Sequence, residues 1–119
     1  MLMLEAINRN LAEKIMGWSQ VQGLKVWSTG EADHNNKSEM IGFYQWNPSG
    51  KEDQAFRALN QFLDNCSGKV SYQLTNTPTL QHTITLLQDG NVLIQITDTR
   101  ASLAISRALY ETIKNWDGR

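Results

Sequence analysis

The sequence predicts a single α+β domain, an αβα sandwich on a mainly antiparallel sheet, with an amphipathic helix at each end and one in the middle. Three observations carry this expectation. Apolar residues recur every three to four positions in three separate stretches. Apolar and polar residues alternate through 70–97, interrupted by two turn signals. A chain of 119 residues that is 40% hydrophobic suits one core, so 1–119 reads as one domain. A two-layer arrangement with all helices on one face is the second choice.

The first helix is expected from about Leu4 to Met16. Leu4, Ile7, Leu11 and Ile15, with Trp18 beyond, share one side, and Glu5, Asn8, Arg9 and Glu13 share the other. Gly17 supplies the stop. Residues 17–47 are irregular. Leu24–Trp27 and Ile41–Trp46 read as short strands, rich in aromatic and branched residues. Between them, Ser28–Ser38 is a polar loop long enough to be mobile or functional. Pro48-Ser49 opens the second helix, with Ser49 as N-cap and Glu52 completing a capping box. Ala55, Phe56, Leu59, Phe62, Leu63 and Cys66 form its apolar face, and Ser67-Gly68 ends it. A three-strand meander follows, led by Val70/Tyr72/Leu74, His82/Ile84/Leu86 and Val92/Ile94/Ile96. Asp89-Gly90-Asn91 marks its second hairpin. The third helix is expected from about Thr99 to Trp116, capped by Asp98 or Thr99. Its first turns carry Ala101, Ser102, Ala104, Ser106 and Ala108, which permit close packing. The element order implies one sheet with helices packed on it.

The formal net charge of −1 creates no general attraction for DNA or an anionic membrane. A single cysteine forbids an intrachain disulfide and fits a reducing cytoplasm. The opening residues form no signal-peptide hydrophobic region, and no apolar run approaches the roughly 20 residues of a membrane helix.

Three blocks carry a family resemblance. Ala12-Glu13-Lys14-Ile15-Met16-Gly17-Trp18 is similar to the "AEKVMGW" that closes the first helix of the phage ABA sandwich domain family. Pro48-Ser49-Gly50-Lys51 resembles the "PSTD" that opens its central helix, with Gly50-Lys51 in place of Thr-Asp. Ser102–Leu109 resembles the "ALAICRAAL" of its last helix. The resemblance implies an αβα fold and a phage or prophage origin, and it implies no catalytic residues. Small phage proteins of this kind counter bacterial defence, some by sequestering nucleotide signals.

Two constellations are candidates for a site. Trp18, Trp27, Phe43, Tyr44 and Trp46 lie in or beside the irregular segment, near Lys25, His34 and Lys37. Aromatic faces stack on nucleobases, and lysines hold phosphates. Trp18 and Phe43 are read as core, whereas Trp27, Tyr44 and Trp46 remain open between core and pocket. The second constellation is the start of the third helix, where Arg100, Ser106 and Arg107 surround a terminus that favours anions. Capping by Asp98/Thr99 and tight packing by Ser102/Ser106 are the favoured account of those residues. Arg107 is the first choice there if an anion binds.

Catalysis has little support. Asp33-His34 and His82 are the only histidine contexts, and neither a His-x-x-x-His nor a Cys-x-x-Cys spacing exists for a metal. The expected function is therefore non-enzymatic, without cofactor: a phage-derived protein in the host cytoplasm sequestering a cyclic nucleotide or ADP-ribose-type molecule. The expected ligand contacts are Trp27, Trp46, Tyr44, Lys25, His34, Arg100, Ser106 and Arg107. A homo-oligomer is expected, without DNA or membrane partners. The alternative is a module that binds and inhibits a host protein.

Overall fold

The chain begins with α1 (Leu4–Asn10), which runs on into a π-helical turn over Leu11–Ile15. The computed structural model describes residues 4–32 and 38–115. The π turn takes one extra residue into the hydrogen-bonded turn and widens the helix, so that the Met16 N–H donates to the Leu11 carbonyl at 3.0 Å. It brings Leu11, Ala12 and Ile15 all into the core. Gly17 then takes a left-handed conformation with φ of 73°, the stop its position suggested.

Two antiparallel sheets follow, each of three strands. The first contains β1 (Ser19–Gln20), β2 (Val26–Ala32) and β3 (Ser38–Gly42), in that spatial order. The second contains β4 (Val70–Asn76), β5 (His82–Gln88) and β6 (Asn91–Asp98), again in chain order. Between the sheets in sequence lies α2 (Glu52–Asn65), and α3 (Ala101–Asn115) closes the fold. The α+β class and its antiparallel character agree with expectation, but the single sheet does not. Alternation fixes which face of a strand is apolar and leaves its neighbour undetermined. The early strands pair among themselves and join the core through Trp27, without extending the meander.

The meander follows its pattern closely. Leu74, Ile84 and Ile96 stand opposite one another across the three strands, and Tyr72, Leu86 and Ile94 form the next row. Ile84 and Leu86 are fully buried, with Ile94 and Ile96 packed against the core. The other face is polar, where Thr83 Oγ1 meets Thr97 Oγ1 at 2.7 Å and Gln95 Nε2 donates to Thr85 Oγ1. Asp89 and Gly90 both have positive φ, which the tight hairpin between β5 and β6 requires. A bulge shifts the register after Leu86, so Leu87 faces Val92.

The small residues of α3 act as their pattern suggested. Ala104 and Ala108 are fully buried, and the helix packs on β5 and β6 while also contacting α2 and α1. Leu59 and Phe62 from α2, Leu11 and Ile15 from the first helix, and Ile105 and Leu109 from α3 fill the shared interior. Cys66 sits at its edge as a free thiol, and burial pushes its pKa up, so it is a weak nucleophile.

Three local expectations are corrected. The strand expected over Ile41–Trp46 ends at Gly42, because the chain turns there: the Gln45 and Trp46 N–H groups both donate to the Gly42 carbonyl. Part of the expected loop is instead strand, since β2 continues through Ser28 to Ala32. Ser49 does not cap α2. It is buried, and its Oγ donates to Asn47 Oδ1, while the N-cap position falls on Lys51.

Lys51 has the extended backbone of an N-cap but makes no side-chain capping bond, and its charge opposes the helix dipole. Lys51→Asp is therefore expected to stabilise the fold by about 1 kcal/mol, read as a higher urea midpoint at unchanged slope. Gly50 has a separate local reason. A Cβ at that position would lie 2.6 Å from Asn47 Nδ2, so the Thr of the resembling pattern would displace this side chain.

Candidate functional site

The turn over 43–51 is tied to all three helices. From α1, Asn8 Nδ2 donates to Asn47 Oδ1 at 3.1 Å, and Asn8 Oδ1 accepts the Ser49 N–H at 3.1 Å. The Asn8 carbonyl accepts the Trp46 indole N–H at 2.9 Å. From α2, Gln54 Oε1 accepts the Asn47 N–H while its Nε2 donates to the Gln45 carbonyl. From α3, Ser102 Oγ donates to the Ser49 carbonyl at 3.0 Å in a buried setting. Buried polar groups must be paired to be tolerated, and these bonds satisfy most of the polar atoms of a turn pressed into the core.

This bracing leaves a cleft between α1 and the turn. Its volume is about 410 Å³, within the size range of small-molecule sites. Trp27 and Trp46 form its apolar floor together with Phe43. Trp27 rests against Phe43 with ring centroids 4.9 Å apart, and Trp46 meets Trp18 edge-on at 4.7 Å. Glu5 and Arg9 stand on the α1 wall, and Lys25 and Tyr44 stand on the strand and turn side. Asn8 and Asn47 join the two walls through their mutual hydrogen bond.

The expected ligand contacts separate into two groups. Trp27, Trp46, Tyr44 and Lys25 converge on this cleft. Their exposure differs decisively: Trp27 and Trp46 are each 2% exposed, whereas Tyr44 is 83% exposed. Little of either indole can meet a ligand, so a stacking face must come from Tyr44. Trp18 and Phe43, read as core, are respectively buried and half-buried.

The start of α3 holds the second group, away from the cleft lining. Arg107 pairs with Asp98 at 3.0 Å, and Asp98 also accepts the Thr99 N–H; because α3 begins at Ala101, this bond lies in the approach to the helix and does not cap its first turn. Ser106 is fully buried, and its hydroxyl has no hydrogen-bond partner among the described residues. It serves the close packing of α3. Arg100 is exposed and does not line the cleft. His34 lies outside the described residues.

Glu5 and Arg9 were not foreseen as contacts, because amphipathic spacing reads both simply as the solvated side of α1. The signal available was their position with Asn8 at one-turn spacing, opposite an aromatic-rich segment. Among the described residues no three His, Cys, Asp or Glu side chains converge as a metal site, and no helix is long and apolar enough to cross a membrane.

No family model, curated protein or solved structure matches this chain. The functional reading accordingly rests on the cleft's own chemistry.

Proposed function

We propose that this chain is a non-enzymatic binding protein whose cleft holds a small, planar, anionic ligand of the nucleotide class. The supporting observation is the pairing of exposed Tyr44 with Arg9 and Lys25 around an aromatic floor. Tyr44 covers the base, Trp27, Trp46 and Phe43 exclude water beneath it, and the two cations take the phosphate. In the setting that the phage-family resemblance suggests, the protein acts in the host cytoplasm and sequesters a nucleotide-derived defence signal.

Calorimetry with cyclic dinucleotides and ADP-ribose tests this reading. Saturable binding with one ligand per cleft is expected, and the ligand should be recovered with unchanged mass after denaturation of the protein. Recovery of a chemically altered product overturns sequestration in favour of catalysis. Silence across the panel overturns the ligand reading and favours the alternative of a module that inhibits a host protein. For that alternative, Leu24 and Met40, 57% and 54% exposed beside the first sheet, provide apolar surface.

A further inference from the structure

The polar groups of the cleft divide into those the fold already uses and those it does not. Asn8 is bonded to Asn47 and Ser49, the Trp46 indole N–H is bonded to Asn8, and Asn47 Oδ1 accepts two donors. The Glu5 carboxylate, the Arg9 guanidinium, the Lys25 ammonium and the Tyr44 hydroxyl have no hydrogen bond or ion pair among the described residues. Glu5 and Arg9 stand four residues apart on α1, a spacing that favours pairing, yet no ion pair joins them.

An unpaired carboxylate in a cleft for an anion is a cost unless it meets hydrogen-bond donors of the ligand. We infer that Glu5 selects guanine: its two oxygens accept the N1–H and N2–H donors of the base, while Arg9 and Lys25 face the phosphate and Tyr44 covers the ring. This rests on the nucleotide reading of the cleft and names the base that it takes. Guanine alone among the common bases presents two adjacent donors on its pairing edge, a match to the spacing of carboxylate oxygens. Adenine places a lone pair at N1 beside one donor, and cytosine places one at N3, so each opposes the carboxylate. Uracil offers a single donor between two carbonyls. A side-chain amide would suit adenine, but Asn8 and Asn47 are already held by the braced turn.

The test compares guanosine, inosine and adenosine 5′-monophosphates by calorimetry on the wild-type chain and on Glu5→Gln. The wild type is expected to bind the guanosine nucleotide about tenfold more tightly than the adenosine one, with inosine, which lacks the N2 donors, between them. Glu5→Gln should reduce that preference below about twofold without weakening the adenosine nucleotide. Glu5 is exposed and has no partner among the described residues, so the variant's unfolding midpoint should match wild type and serve as the folding control. Equal binding of all three, or a guanine preference that survives Glu5→Gln, overturns the base assignment while nucleotide binding itself stands. Failure of every nucleotide to bind the wild type overturns the underlying reading of the cleft as well.

Discussion

Trp46→Ala is expected to destabilise the protein by about 3–5 kcal/mol, the largest loss from any single truncation in the cleft. The ring is almost wholly buried, packs edge-on against Trp18, and donates its N–H to the Asn8 carbonyl. Truncation empties the space under the turn, removes an aromatic pair and leaves that carbonyl without its indole donor. For a domain of this size the melting midpoint should fall by roughly 10–25 °C. Trp46→Phe separates the contributions. It keeps a six-membered ring but loses the N–H donor and part of the ring volume, so a smaller cost of about 2–3 kcal/mol is expected. Equal melting curves for Trp46→Ala and wild type would mean that the turn is not anchored by this indole.

The second large effect concerns affinity and leaves the fold alone. Arg9→Glu combined with Lys25→Glu replaces both cations of the cleft with acids beside Glu5. Binding of an anionic nucleotide should weaken by roughly 100-fold, and the remaining binding should strengthen with added salt where the wild type weakens, because salt then screens repulsion. Both native side chains are exposed and neither holds another element in place, so the melting midpoint should move by less than about 1 kcal/mol equivalent. Unchanged affinity in a folded double variant would remove the cations from the site. Because Trp46→Ala acts on stability and the double reversal acts on binding, the pair distinguishes the cleft's scaffold from its recognition groups.

The contrast between these residues explains how far the site was legible in the sequence. Trp27, Tyr44, Trp46 and Lys25 were singled out because an aromatic-rich, lysine-bearing segment is unusual between helices, and all four line one cleft. Their ranking was not legible. A tryptophan and a tyrosine in an irregular segment have similar local patterns, and only the braced turn over 43–51 places Trp46 inward and Tyr44 outward. Arg100, Ser106 and Arg107 form a second sequence cluster for which capping and packing are the favoured account, and in the fold Asp98 takes Arg107 and close helix packing takes Ser106. Periodicity assigns Glu5 and Arg9 to the solvated side because it describes a helix without its surroundings.

The capping of α2 shows the same division at shorter range. Pro48-Ser49 followed by Glu52 has the composition of a capping box, but Ser49 is drawn into the core by Asn8, Asn47 and Ser102. Partners 41 and 53 positions away, with Asn47 beside it, outcompete the capping box.

By itself the sequence determined the three helices, the meander with its apolar face, the Asp89-Gly90 hairpin and the α+β class. Each is set by interactions within a few residues or by strict periodicity along one element. The tertiary structure alone decided that the strands form two sheets, that Trp27 and Trp46 become floor while Tyr44 becomes surface, and that α1 supplies a wall of the cleft. Those outcomes depend on which distant groups meet, and a side chain's exposure follows from what is packed above it, not from the pattern that surrounds it in the chain.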